Sequence, residues 1–315
     1  MTYNVLINTS LSDTIMEMFG DECELTLWSP ASGEPPPPLD QIDGYFIYGH
    51  PIIDGPVMDM MPNLKVISNC GVGVDHINLE DAQARGIPVG NTPNVLDGAT
   101  ADLTFALLMA TARNLIVGNH YARGPEFTRY DPNMWLGYEV HGTTLGIIGM
   151  GNIGRQVAHR AQGFDMNVLY HNRNRDLDAE SAIGVEYATL SALLEQSDFV
   201  TLNVPLTEET RHMIGKEQLQ LMKPTGILVN VARGGVVDQE ALLEALENGW
   251  IAAAAADVTE PEPLPRDHPL LKLDNFVIAP HLGSATIQTR QAMSQLAVDN
   301  LKAGMAGKEL VRQAG

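Results

Sequence analysis

The chain has 315 residues and a formal net charge of −20, from 39 acidic against 19 Lys and Arg side chains. That field repels polyanions, so neither nucleic acid nor an anionic membrane is an expected partner, and an anionic small molecule has to be drawn in by local cations. The length exceeds what one core usually serves, so two domains are expected. Two cysteines, Cys23 and Cys70, make no disulfide framework, and no basic segment followed by an apolar one opens the sequence, so a cytoplasmic setting is expected.

In chain order, short apolar or β-rich runs at 5–7, 24–28, 45–48, 65–68 and 88–90 alternate with possible helices, the pattern of a small α/β unit. The proline run at 35–38 fits neither a helix nor a central strand and is expected in a stiff surface loop. The segment NCGVGVDHIN, from Asn69 to Asn78, follows a strand and has two glycines able to bring backbone amides near a ligand. A plain turn explains it equally well. Proline and glycine then mark a crossing between domains around 91–102, before a long apolar stretch at 103–117 that is expected to form a buried helix.

Next comes TTLGIIGMGNIG, from Thr143 to Gly154. An apolar strand at 145–148 meets three glycines and then a helical segment at 153–163. A second strand at 166–170 follows where a βαβ unit requires one. In a dinucleotide site Gly149 makes the tight turn, Gly151 lets a phosphate approach the backbone, and Gly154 lets helix and strand pack closely. Met150, Asn152 and Ile153 complete the loop against the cofactor. An acidic residue often follows the second strand to meet the ribose 2′-hydroxyl. This chain has HNRNRD instead, with Asn172 at that place and Arg173 and Arg175 after it. Cations there favour a 2′-phosphate, so NADP is the expected cofactor, with NAD possible.

Further strands are expected at 199–203, 227–231, 252–257 and 276–278, and a helix at 239–248 with Asp238 as N-cap and Gly249 beyond its end. This makes a doubly wound parallel sheet, in which ligands lie beyond the carboxyl ends of the strands. Arg233, Glu262 and His281 all fall just after apolar runs. A last helix, 285–305, has no strand to feed and is expected to return to the first domain. The expected division is therefore 1–97 and 285–315 for a substrate domain around 98–284 for the dinucleotide.

Seven segments in this order, NCGVGVDHIN, TPNVLDGATADLTFALLMATAR, TLGIIGMGNIG, NVPLTEETRHMI, LVNVARGGVVDQEAL, DVTEPEPLP and APHLGSAT, resemble the D-2-hydroxyacid dehydrogenases of the glyoxylate/hydroxypyruvate reductase branch. The resemblance implies a Rossmann-type domain inserted into a discontinuous flavodoxin-like one, and the reduction of a small anionic 2-oxo acid such as glyoxylate or hydroxypyruvate. Larger 2-oxo acids, or a cofactor-sensing corepressor, are the alternatives. It assigns Arg233 to the substrate carboxylate and carbonyl, His281 to proton donation, and Glu262, rather than its neighbour Glu260, to orienting that histidine. The backbone at Val72 and Gly73 is assigned to the carboxylate, Asp257 to the nicotinamide carboxamide, and Val204, Pro205, Thr210 and Val231 to the cofactor groove, with Thr100 beside the nicotinamide half. His50 and Trp135 are candidate pocket residues. No metal is expected, and a homodimer formed through 101–135 is.

Overall fold

Parallel strands buried on both faces read as continuous apolar runs, and the inner strands of both sheets hold such runs. In the computed structural model, which describes residues 2–314, the chain divides into two units, Met1–Leu96 with Thr286–Gly315, and Asp97–Ala285. The sheet of the first unit contains β1 (Tyr3–Ile7), β2 (Cys23–Leu27), β3 (Gly44–Ile47), β4 (Val66–Asn69) and β5 (Val89–Gly90). They pair parallel throughout in the order β2-β1-β3-β4-β5, the flavodoxin-like order.

The C-terminal helix, Ile287–Met305, lies against β3 and β4 of this unit. Its N-cap Thr286 accepts from the Thr289 N–H at 3.1 Å. The buried Ser68 hydroxyl donates to the Ala297 carbonyl at 2.6 Å, fastening β4 to the helix. The contact is close because a glycine stands on each side. A Cβ on Gly304 would lie 2.5 Å from the Val66 Cβ, and one on Gly44 would lie 2.8 Å from Leu301 Cδ1.

In the second unit the strands are β6 (Thr144–Ile148), β7 (Asn167–His171), β8 (Glu186–Tyr187), β9 (Phe199–Leu202), β10 (Ile227–Asn230), β11 (Ala253–Ala256) and β12 (Phe276–Ile278). Their order is β12-β11-β10-β9-β6-β7-β8, again all parallel. The order reverses between β6 and β9, the switch point where such sheets bind ligands. Successive residues of a strand serve opposite cores, as the period of two requires. Ile227, Val229, Ala253 and Ala255 join the core containing Phe105 and Val157, whereas Leu228, Ala254 and Ala256 join the one containing Leu219 and Leu242.

Two elements differ from the expectation. The apolar stretch at 103–117 is not one buried helix. The chain forms a helix Asp97–Ala112, turns at Asn114 with φ of 52°, and starts a second helix Leu115–Arg123 bent by 61° from the first. The first is largely buried and the second has no buried residue, so apolar composition there does not signal core. The two-residue strand β8 is exposed and gave no apolar run to read. Among the described residues no single helix is long and apolar enough to cross a membrane.

Gly304→Ala tests the helix–strand contact. Alanine is the better helix former by up to about 1 kcal/mol, but a methyl forced against Val66 costs about 1–3 kcal/mol. We expect a lower urea midpoint for Gly304→Ala and none for Gly118→Ala, where a Cβ meets nothing within 4 Å. Equal midpoints would refute the packing described.

Candidate active site

The turn after β6 is shaped by what a side chain would hit. Gly149 has φ of 99°, and a Cβ there would lie 2.7 Å from the Asn203 carbonyl carbon at the end of β9. Gly154 faces the Gly149 carbonyl so closely that a Cβ would collide with it, whereas a Cβ on Gly151 would meet nothing within 4 Å. The backbone is thus tight below and open above, at the N-terminus of the eleven-residue helix Asn152–Gln162. Asn152 and Ile153 begin that helix, whose leading N–H groups and dipole suit a pyrophosphate. These residues therefore fit a dinucleotide. Nearby, Asp97 engages the Asn152 side chain, and partial burial raises the Asp97 carboxyl above the usual range.

At the end of β7 the Asn172 Oδ1 accepts from the Met150 N–H at 2.7 Å, closing the loop. Arg175 turns to Glu180, its Nε 2.6 Å from Oε1 and its Nη2 2.7 Å from Oε2. The Tyr170 hydroxyl also donates to Glu180, and with Arg175 as the larger cause the Glu180 carboxyl is held down at about 2. Arg173 is exposed. Its charge helps lower the Glu209 carboxyl, after the hydrogen bond from Thr207 and that from the backbone. Thr210 donates to the Pro205 carbonyl at 2.6 Å and so shapes the loop after Val204, while Val231 is buried just past β10.

Three adjacent strands deliver the other polar residues. Asn230, Ala256 and Ile278 stand level in the register of β10, β11 and β12, so Arg233, Asp257, Glu262 and His281 all follow carboxyl ends at one edge of the sheet. Arg233 enters a short turn, Gly234–Val236. The Asn230 side chain fixes that turn by donating to the Arg233 carbonyl at 2.9 Å and accepting from the Ala232 N–H at 3.0 Å. A Cβ on Gly234 would collide with the Thr259 carbonyl, so the turn bearing Arg233 and the loop bearing Glu262 are in backbone contact.

Asp257 organises the histidine. Its main-chain carbonyl accepts from the His281 N–H at 2.9 Å, and its carboxylate accepts from the next two, Leu282 at 2.6 Å and Gly283 at 2.8 Å. His281 is held with φ of 56°, and its Nδ1 lies 2.7 Å from Glu262 Oε1. Thr100 stands beside this loop, 3.4 Å from where a Gly283 Cβ would be. A cavity of about 380 Å³ opens here, lined by Glu262, Leu264, Arg266, Leu271, Ile278 and His281 among others.

It is Glu262 that meets the ring. Glu260 is engaged elsewhere, its carboxylate 3.0 Å from Arg211 Nη1 and its backbone N–H and carbonyl both paired with the Gln239 amide. Sequence reading missed Asn230, Gln239 and Arg211 because none touches the histidine. An asparagine closing a strand just before a glycine turn is the signal that was available for Asn230.

In the first unit, the loop after β4 carries Val72 and Gly73, with the Asn69 and Asn91 side chains donating to its carbonyls. His50 stacks edge-on against His76, with ring centroids 5.0 Å apart. Trp135, in the second unit, is exposed beside Tyr121 at 6.0 Å.

The chain is similar to known proteins in both sequence and fold. Residues 105–283 match the family model described as D-isomer specific 2-hydroxyacid dehydrogenase, NAD binding domain. The glyoxylate reductase of Pyrococcus furiosus is 44% identical over 98% of this chain and 94% of its own. That of Korarchaeum cryptofilum is 53% identical over 81% and 77%. A solved structure of an NADPH-dependent glyoxylate/hydroxypyruvate reductase from Sinorhizobium meliloti, in complex with NADP and malonate, superposes with a TM-score of 0.90 at 32% identity, covering 100% of this chain and 97% of that one. With that family model over more than half of the chain and relatives of this identity and coverage, the chain belongs to the D-isomer-specific 2-hydroxyacid dehydrogenases.

Proposed function

We propose that this protein reduces a small 2-oxo acid of the glyoxylate or hydroxypyruvate type to the D-2-hydroxy acid. The observation that carries the reading is the 2.7 Å contact of His281 with Glu262, at the sheet edge to which the neighbouring strand brings Arg233. When bound, a reduced nicotinamide supplies the hydride for C2. Arg233 holds the carboxylate and polarises the carbonyl, since a guanidinium offers paired planar donors and a permanent charge. Glu262 engages Nδ1 of His281, so Nε2 is the nitrogen that gives its proton to the carbonyl oxygen as the alkoxide develops. The backbone N–H groups at Val72 and Gly73 receive the substrate carboxylate, and His50 contributes to substrate selection.

For the cofactor we favour NADP over NAD. The support is the absence of a carboxylate at Asn172 and the exposed cation at Arg173, together with the NADP complex of the Sinorhizobium meliloti relative. Because Arg175 is paired with Glu180, Arg173 is the first contact for a 2′-phosphate and Arg175 joins only by exchanging partners. Asp257 serves the carboxamide with the acceptor capacity left after its two N–H bonds. A cytoplasmic setting suits the free thiols of Cys23 and Cys70.

We also read the protein as a homodimer. Leu115, Phe127, Tyr130 and Leu136 are between 50% and 81% exposed, within and after a helix none of whose residues is fully buried in its own chain. Clustered exposure of large apolar side chains marks an association surface.

A panel of 2-oxo acids assayed with NADPH and with NADH tests the function. Glyoxylate or hydroxypyruvate should turn over best, with a higher kcat/KM for NADPH that Arg173→Ala abolishes. His281→Ala should lower kcat about 10²- to 10⁴-fold with little change in coenzyme affinity, and a turnover close to wild type would reject the proton-donor role. Sedimentation equilibrium should give twice the 34.2 kDa chain mass, and a monomer at micromolar concentration would remove the dimer.

A further inference from the structure

The loop Gly71–Val72–Gly73 does not shape itself. Asn69, the last residue of β4 and buried to 1% exposure, uses both amide hydrogens on it, donating to the Gly71 carbonyl at 3.2 Å and the Gly73 carbonyl at 3.0 Å. Asn91, just past β5, donates to the Val72 carbonyl between them at 2.9 Å. The Thr92 N–H adds a second bond to the Gly71 carbonyl at 3.0 Å. Three successive carbonyls are therefore drawn to two side-chain amides.

Peptide planarity converts this into a statement about the opposite side. The cis bonds of the described chain are Glu260–Pro261 and Glu262–Pro263, so the peptides here are trans. In a trans peptide the N–H points opposite to the C=O of the same plane. Holding the carbonyls of 71, 72 and 73 thus directs the N–H groups of Val72, Gly73 and Val74 away from the asparagines. Successive N–H groups presented in this way form an anion-binding concavity, and donation to each carbonyl makes the N–H of the same plane more positive.

We propose that Asn69 and Asn91 are positioning residues for substrate binding, holding the loop carbonyls so that successive backbone N–H groups meet the carboxylate of the 2-oxo acid. This rests on the functional reading above and adds the residues responsible for it. A neutral amide is the side chain the task requires. It donates to carbonyls without adding a charge, whereas an aspartate would repel both those carbonyls and the bound anion. The support reaches into the core. The Asn91 carbonyl accepts from Asn300 Nδ2 at 3.0 Å, and Asn300, fully buried on the C-terminal helix, accepts from the Arg312 N–H at 2.8 Å. A Cβ on Gly71 would lie 3.1 Å from Asn69 Nδ2, so a side chain there would press on the amide that holds the loop.

The test is steady-state kinetics of the full-length protein with glyoxylate, alongside binding of oxamate, a carboxylate that is not turned over, to the coenzyme complex. Asn91→Ser removes one donor and leaves the backbone bond to Asn300, and Asn69→Asp is isosteric and removes two. We expect KM for glyoxylate and Kd for oxamate to rise together by roughly tenfold to a hundredfold, with kcat and the coenzyme KM changed far less. Wild-type KM and Kd in Asn91→Ser would overturn the inference, as would a loss shared equally by the coenzyme KM. Should Asn69→Asp fail to fold, Asn91→Ser decides alone. A wild-type protein that reduces none of the acids removes the functional reading itself, whereas a competent wild type with indifferent variants removes only the role of the asparagines.

Discussion

One aspartate holds the histidine loop. Asp257 accepts three consecutive N–H groups, those of His281, Leu282 and Gly283, the first on its main-chain oxygen and the others on its two carboxylate oxygens. Bonds to a charged acceptor contribute about 1.5–3 kcal/mol each. Together they offset the several kcal/mol needed to take a carboxylate out of water. They also exceed the 1–2 kcal/mol or so by which a residue other than glycine resists the left-handed region, where His281 lies. The ring is thereby aimed at Glu262 by backbone that these three bonds hold in place.

The rest follows from parallel strands that end level. Because β10, β11 and β12 stand in register, the segments after them emerge side by side, and each brings one kind of chemistry: a permanent cation, a carboxylate and an imidazole. Small side chains allow the approach. Gly234 admits the Thr259 carbonyl against the turn that carries Arg233, and Gly149 admits the end of β9 against the dinucleotide turn. The same economy governs the first unit, where glycines at 44 and 304 set the distance between sheet and C-terminal helix. In both units, asparagines at or just after strand ends, Asn69, Asn91, Asn172 and Asn230, hold loop backbone with neutral amides. The chain's charge is therefore kept for the groups that need it.

Much of this was legible in the sequence, and for physical reasons. Gly149 and Gly154 could be read because a tight turn and close packing each exclude a side chain, whereas Gly151 was legible only from the spacing of the motif, since a Cβ there meets nothing within 4 Å. Buried parallel strands could be read because they are apolar on both faces. His281 and Glu262 were legible only through the family motifs, since the pair lies 19 residues apart and Glu260 offers the same carboxylate two residues earlier. What remained hidden depends on contacts across the fold. Nothing local says that Arg175 is claimed by Glu180, that Gln239 grips the backbone of Glu260, or that Asn69 spends both its hydrogens on one loop. The stretch at 103–117 misled because apolar composition argues for burial, and the turn at Asn114 instead leaves Leu115 and Ile116 exposed.

Residue-resolved amide hydrogen exchange on the wild-type protein bears most directly on the Asp257 anchor. Leu282 has an exposed side chain in a loop, so its N–H should exchange quickly unless it is bonded as described. The amides of Leu282 and Gly283 are expected to be protected to a degree comparable with the buried strand Ala253–Ala256. Exchange of both at the rate of an open loop would contradict the anchor.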